Sequence, residues 1–279
     1  MQATIKFITK ELNPLYTKYE VQGFIRLIME SVCGLTFSEI ALKKFRQIKN
    51  TEKQKINSII IRLKKHEPIQ YILGRKEFYN LNFKVNPSVL IPRQETEELV
   101  EWVLKSDIKK KALVLDIGTG SGCIAVSLKK KRHDFKMVAI DISKTALATA
   151  IENAQVNKTN INFFVADIED SETLKKEMFD VIISNPPYVR ESEKALMNRN
   201  VLKYEPEQAL FVEDKDPLKF YRIIVDFASN QLNSGGLLFF EINEALSDET
   251  ANLLKGSFRN IKIRNDINGK PRMIKAKKQ

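Results

Sequence analysis

Ala112-Leu113-Val114-Leu115-Asp116-Ile117-Gly118-Thr119-Gly120-Ser121-Gly122 decides the architecture of this 279-residue chain. An apolar, β-rich run breaks into a turn carrying three glycines. Cys123-Ile124-Ala125-Val126-Ser127-Leu128 then resumes with helical spacing. Strand, glycine turn and helix in immediate succession form the context in which a glycine fingerprint has meaning. Lacking a Cβ, glycine lets the backbone approach a ligand closely and adopt positive φ. The spacing is G-x-G-x-G, and no Lys-Ser/Thr pair follows, which disfavours both a dinucleotide pyrophosphate site and a phosphate loop.

Working outward, three further apolar runs each end on a polar residue. Met137-Val138-Ala139-Ile140 ends at Asp141, whose carboxylate is suited to accept both hydroxyls of a ribose. Ser143 is the better N-cap for the helix that follows, which leaves Asp141 free for that role. Ile161-Asn162-Phe163-Phe164-Val165 ends at Ala166-Asp167, where Asp167 either meets an adenine amino group or is a plain loop carboxylate. Phe179-Asp180-Val181-Ile182-Ile183-Ser184 ends at Asn185-Pro186-Pro187-Tyr188. Two consecutive prolines cannot continue a central strand, so the chain turns outward there. An Asn amide, free carbonyls and an aromatic ring then face one small space, a set suited to a planar nitrogen group with two N–H donors. Taken alone, the tetrapeptide fits equally well a rigid Asn-Pro loop capped by a tyrosine. Four such strand ends converge on the carboxyl edge of one parallel sheet, the edge at which open α/β sheets bind ligands.

These residues resemble the S-adenosylmethionine methyltransferases that modify planar amino nitrogens. More narrowly, the chain resembles the bacterial peptide chain release factor N5-glutamine methyltransferases over nearly its whole length. The likeness includes Glu67-Pro68-Ile69-Gln70-Tyr71-Ile72-Leu73-Gly74, Phe78-Tyr79 and Asn86-Pro87-Ser88-Val89-Leu90-Ile91-Pro92-Arg93. It continues through Glu95-Thr96-Glu97-Glu98-Leu99-Val100, the glycine and Asn-Pro-Pro-Tyr motifs, and Tyr204-Glu205-Pro206. The Asn-Pro-Pro-Tyr motif is shared with DNA-adenine and RNA-guanine methyltransferases; the Gln-Tyr-Ile-Leu-Gly and Ile-Pro-Arg stretches make the match specific. Gln94 stands where the family usually has a second proline. Ile168 stands where some members have an aromatic residue against the adenine.

The resemblance implies an α/β fold, a Rossmann-like seven-stranded methyltransferase sheet with a small N-terminal helical bundle. It implies S-adenosylmethionine as methyl donor, with S-adenosylhomocysteine as product. Gly118, Thr119, Gly120, Ser121, Gly122, Asp141, Asp167, Ile168 and Asn185 would hold it. The implied substrate is the glutamine of the Gly-Gly-Gln loop in class-1 release factors, gripped by Asn185, Pro186, Pro187 and Tyr188. The amide nitrogen of glutamine is a poor nucleophile because its lone pair is delocalised into the carbonyl. The expected device is positioning, which contributes up to ~7–11 kcal/mol in intramolecular models. The Asn185 side-chain oxygen and the Pro186 carbonyl each accept one N–H and favour pyramidal nitrogen, while Tyr188 walls the amide. These bonds strengthen as positive charge grows on nitrogen. Asn185, Pro186 and Tyr188 are therefore the expected catalytic residues. The rival reading is methylation of an adenine or guanine amino group, which would call for base-stacking aromatics and a large groove.

Composition agrees with an ordinary enzyme. At 43% hydrophobic content the chain can bury one large core or two modest ones. No apolar stretch reaches the ~18 residues of a membrane span. Two cysteines, Cys33 and Cys123, exclude a disulfide framework and fit a reducing cytoplasm. Two histidines, His66 and His133, and no clustered cysteine argue against a structural zinc, and no metal is expected. The net charge of +11 is concentrated in residues 1–92, which hold 16 Lys/Arg against 7 Asp/Glu. Such a field attracts acidic partners, yet a lysine-rich surface accounts for it as well, and no specific nucleic acid is expected.

Residues 1–75 read as helical, with Ile56, Ile59, Ile60 and Leu63 on one stripe and Val21, Phe24, Ile28 and Val32 on another. Asn13-Pro14 and Cys33-Gly34 punctuate them. Residues 76–92 read as a β-hairpin-like linker and 93–279 as the catalytic domain; the resemblance implies that the bundle of residues 1–75 recognises the substrate protein. A helix over residues 95–104 is expected to pack Leu99, Trp102 and Val103 on the sheet. Residues 189–216 form a connection too long and too apolar for a tether, and read as a cover over the site. Residues 236–241 and 261–263 read as later strands, and residues 275–279 as a frayed tail.

Overall fold

Two units, each around its own apolar core, divide the chain in this computed structural model: residues 1–74 with 198–204, and residues 75–197 with 205–279. The structure describes all residues except Lys44, residues 171–173, Lys175 and Lys176, and the side chain of Phe37. Among the described residues no helix is long and apolar enough to cross a membrane.

The first unit contains helices α1 (Gln2–Leu12), α2 (Lys18–Cys33), α3 (Phe37–Leu42), α4 (Asn50–Leu63) and α5 (Ile69–Leu73). Local chemistry sets their ends. The Thr17 hydroxyl accepts the Glu20 N–H while the Glu20 carboxylate accepts the Thr17 N–H, a reciprocal cap that starts α2. Thr36 and Glu39 repeat it at α3. Gly34 stops α2 in the left-handed region, with φ of 65°. Ile56, Ile59, Ile60 and Leu63 are buried together with Val21 and Ile28, while Phe24 and Val32 pack at the rim of that core.

The second unit opens with an antiparallel hairpin, β1 (Arg75–Phe78) and β2 (Leu81–Lys84), turned by Tyr79 and Asn80 at positive φ. Phe78 and Phe83 are fully buried and pack edge to face at 5.9 Å in the core of the sheet. The hairpin thus folds as part of this unit. Next come α6 (Gln94–Leu104), β3 (Leu113–Ile117), α7 (Cys123–Lys131), β4 (Lys136–Asp141), α8 (Lys144–Val156), β5 (Asn162–Val165) and β6 (Phe179–Ser184). The stretch expected as a cover holds the parallel pair β7 (Val189–Arg190) and β8 (Phe211–Val212), 3-10 turns at residues 191–196 and 207–209, and α9 (Arg199–Tyr204), which belongs to the first unit. The chain ends with α10 (Lys219–Gln231), β9 (Leu232–Glu241), α11 (Ser247–Leu253), β10 (Phe258–Asn265) and β11 (Pro271–Lys278).

Seven strands form one sheet in the order β10-β11-β9-β6-β3-β4-β5, with β9, β6, β3, β4 and β5 parallel and β11 antiparallel to both its neighbours. This is the α/β sheet that the apolar runs predict, and both faces are covered. Val114, Val181, Ile183 and Phe239 point to the side of α6 and α7, whereas Leu115, Ile182, Leu238 and Phe240 point to the side of α10. Burial on both faces is why these strands read as continuous apolar runs.

One expectation is overturned. Residues 275–279 are not a frayed tail: Lys275, Ala276, Lys277 and Lys278 complete β11, an inner strand paired to β9 and β10. Met273, Ile274 and Ala276 are fully buried, and the lysines between and beyond them disguise the pattern. A lysine can lay its methylene stem along apolar surface, as Lys275 does with its ammonium 5.2 Å from the Trp102 ring.

Candidate active site

A cleft of about 620 Å³ opens at the carboxyl ends of β3, β4 and β6. The chain there steps from β3 outward to β4 and β5, then returns to the other side of β3 as β6. Such a reversal of strand order leaves a crevice. Gly118, Thr119, Gly120, Ser121, Asp141, Asp167, Ile168, Asn185, Pro186 and Pro187 all line it.

The glycine turn is held from two sides. Gly120, at φ of 56°, donates its backbone N–H to Asp141 Oδ2 at 2.8 Å, and Ser143 donates its N–H to Oδ1 at 2.9 Å. Ser143, not Asp141, caps α8, its hydroxyl accepting the Ala146 N–H at 3.1 Å. Each Asp141 oxygen therefore keeps lone-pair capacity beyond the backbone amide it accepts. Burial pushes the Asp141 carboxyl up, and the two amides pull it back. Gly122 is required by packing as well as by its φ of 78°, since a Cβ there would lie 3.1 Å from the Ala150 Cβ.

Thr119 and Ser121 are buried and serve the loop itself. The Thr119 hydroxyl donates to Asp116 Oδ2 at 2.7 Å, and the Ser121 carbonyl accepts from the Asn153 amide at 2.9 Å. Asp116 is fully enclosed, its Oδ1 has no partner among the described residues, and burial pushes its carboxyl up to about 7. Asp167 accepts the Glu169 N–H at 2.9 Å, and Ile142 and Ile168 line the same cleft.

At the end of β6 the Ser184 hydroxyl donates to the Ile117 carbonyl at 2.8 Å, fixing the start of the Asn-Pro-Pro-Tyr turn against β3. Asn185 Nδ2 lies 3.4 Å from Thr96 Oγ1. Tyr188 is not where the sequence suggests. It does not line the cleft; its ring packs on the core beneath α10 and its hydroxyl donates to Glu241 Oε1 at 3.0 Å. Two prolines with fixed φ carry the chain away from the cleft before Tyr188, and a buried carboxylate satisfies the hydroxyl there. Burial and the charge of Glu241 hold that hydroxyl well above its ordinary pKa.

Sequence reasoning missed Thr96, Glu241, Ile142 and Phe220. Thr96, Ile142 and Phe220 line the cleft, and Glu241 lies behind Thr96, whose hydroxyl donates to Glu241 Oε2 at 2.6 Å. A signal existed for Thr96. The buried stripe of α6 is Thr96, Leu99, Val100 and Val103, with i, i+3, i+4, i+7 spacing, so a polar residue sat on an apolar face. Trp102, expected on that stripe, flanks it and meets Phe239 edge to face at 5.9 Å.

Residues 95–208 match the model of the methyltransferase small domain, and residues 8–74 match that of the PrmC N-terminal domain. A release factor glutamine methyltransferase of Flavobacterium psychrophilum is 45% identical over 270 residues, covering 95% of this chain and 94% of that protein. One of Bacteroides thetaiotaomicron is 41% identical, covering 99% of each. Among solved structures, a methyltransferase from Pyrococcus furiosus superposes with a TM-score of 0.53 at 19% identity, over 79% of this chain and 96% of that one, a likeness of fold. With relatives this similar over nearly its whole length, the chain belongs to the release factor glutamine methyltransferase family.

Proposed function

We propose that this chain transfers a methyl group from S-adenosylmethionine to the side-chain amide nitrogen (N5) of the glutamine in the Gly-Gly-Gln loop of class-1 release factors, in the cytoplasm. The observation that carries the reading is that Asn185 and Pro186 line the same cleft as Gly120 and Asp141. An acceptor pair for an amide and a carboxylate suited to a diol thus face one space.

The donor set fits the methyl donor. Asp141, already holding two backbone amides, would accept ribose hydroxyls through its remaining lone pairs. Asp167 would hold the adenine amino group, and Ile142 and Ile168, which line the same cleft, would offer it apolar contact. The backbone of Gly118–Ser121, which lines the cleft, would admit the rest of the molecule at close approach, whereas Gly122, expected there too, packs on Ala150 and does not line it. When bound, S-adenosylmethionine supplies a methyl group already activated by positive sulfur. The Asn185 side-chain oxygen and the Pro186 carbonyl take the two N–H groups of the glutamine amide and turn its lone pair towards that methyl. Pro187 stiffens the turn. Tyr188 contributes by anchoring the turn from below, through Glu241, and not by stacking on the amide. Residues 93–279 carry the chemistry, and the helices of residues 1–75 recognise the substrate protein.

The test is incubation with labelled S-adenosylmethionine and a purified class-1 release factor, beside the same factor with its Gly-Gly-Gln glutamine changed to alanine. Label must enter the first and not the second. Label in both, or label appearing only in RNA from a total extract, refutes the assignment.

A further inference from the structure

The two ends of an asparagine amide have nearly the same shape and opposite chemistry. If Asn185 faced the cleft with its nitrogen, it would set N–H donors against the N–H donors of the target. We propose that Thr96 and Glu241 are positioning residues that fix the Asn185 amide with its oxygen towards the cleft. The inference rests on the role given to Asn185 in amide methylation.

The argument follows from hydrogen-bond direction. Asn185 Nδ2 lies 3.4 Å from Thr96 Oγ1, which lies 2.6 Å from Glu241 Oε2, while Glu241 Oε1 takes the Tyr188 hydroxyl at 3.0 Å. Thr96 and Glu241 are both buried, at 2% exposure, so no bulk water competes for these contacts. Burial pushes the Glu241 carboxyl up, while the Thr96 and Tyr188 hydroxyls and the nearby Arg272 charge pull it back towards the ionised form, which only accepts. Both hydroxyls must therefore donate to Glu241, and the single Thr96 proton is directed there. Towards Asn185, Thr96 has lone pairs alone to offer. Only Nδ2 satisfies them, and Oδ1 is left on the cleft side. A carboxylate at the end of the chain thus polarises every link, where a neutral side chain would permit either orientation.

The location of Glu241 supports this role. It closes β9, next to β6 in the sheet, with Phe240 registered opposite Ser184. Both ends of the Asn-Pro-Pro-Tyr turn consequently hang from one carboxylate, Asn185 through Thr96 and Tyr188 directly. The Asn243 amide braces the same turn by donating to the Tyr188 carbonyl at 3.0 Å. Burying a carboxylate is costly unless its oxygens are satisfied. Here a hydroxyl meets each of them.

The test uses the full chain with Thr96→Val, Thr96→Ser and Glu241→Gln. Thr96→Val keeps the shape and removes the hydroxyl. It should lower kcat on the release factor by about 100-fold, the scale of a misaligned positioning group, with S-adenosylmethionine affinity by calorimetry unchanged. Thr96→Ser should restore most of the rate. Glu241→Gln, whose amide can donate, should lower kcat in the same way by letting the relay reverse. A substrate-free readout is hydrogen exchange of the Asn185 side-chain amide by NMR, which should be slow in the wild type and fast in Thr96→Val. Wild-type kcat in Thr96→Val, a serine variant as slow as the valine one, or unaltered Asn185 exchange would each overturn the relay. A wild type that leaves the release factor unlabelled but shows the exchange difference would instead sink the proposed function and keep the relay.

Discussion

Glu205 receives the Arg93 guanidinium at 2.6 Å on one carboxylate oxygen and the Ile91 backbone N–H at 3.1 Å on the other. The Glu205 side chain is fully enclosed, while that of Arg93 is 36% exposed. The Ile-Pro-Arg and Tyr-Glu-Pro stretches, more than a hundred residues apart, are therefore two halves of one contact. It holds Pro206, Gln208 and Ala209 at the lip of the cleft. Arg93→Met leaves an enclosed charge with only a backbone amide. Partial exposure of Arg93 discounts the full cost of breaking a buried pair, so a loss of about 1–3 kcal/mol is expected in urea unfolding. Proteolysis within residues 205–212 should accelerate in step.

Asn185→Ala removes the acceptor that strengthens as charge develops on nitrogen. Turnover should fall by about 10²–10³-fold, the usual cost of deleting one such group. Calorimetric affinity for S-adenosylmethionine should stay close to wild type. A parallel fall in both would assign Asn185 to cofactor binding.

Asp141→Asn replaces an acceptor-only carboxylate by a group with one donating end. That end cannot accept the N–H of Gly120 or Ser143, nor a ribose hydroxyl. Hydrogen bonds to charged groups contribute ~1.5–3 kcal/mol, so affinity for S-adenosylmethionine should weaken by about 10- to 100-fold. The rate at saturating cofactor should change much less.

Gly122→Ala forces a Cβ to within 3.1 Å of Ala150 at a φ of 78°. A strained backbone of this kind costs ~1–3 kcal/mol, to be read from the urea midpoint. Cofactor affinity should fall too, because the turn can relieve the strain only by moving away from α8.

Asp116 gives a pH signature. Burial lifts its folded pKa to about 7 from the 3.8 ordinary for an aspartate. Between these values the native state holds a proton that the unfolded chain has lost, so this contribution to stability declines as pH rises and is constant above the folded value. Asp116→Asn cannot titrate. The difference in unfolding free energy between variant and wild type should shift in favour of the variant between about pH 4 and pH 7, by up to ~1.4 kcal/mol per pH unit. A difference independent of pH would show that Asp116 ionises normally.

Much of the sheet and its binding edge is legible in the order of residues. Strands covered on both faces appear as unbroken apolar runs, and each run stops where the backbone meets the cleft, so Gly118, Asp141, Asp167 and Asn185 announce themselves as the polar residues that follow. The same rule fails at β11, where lysines that lie along the sheet carry charge in sequence and apolar contact in space.

Which way a side chain turns, and what meets it, was decided by packing alone. Tyr188 follows the prolines as closely as Asn185 precedes them, yet one points to the core and the other to the cleft. Thr96 and Glu241 stand 145 residues apart and meet only because α6 lies across β9. Local preference acts over a few neighbouring residues, whereas a hydrogen-bond partner is chosen by whichever distant group the folded sheet brings within 3 Å.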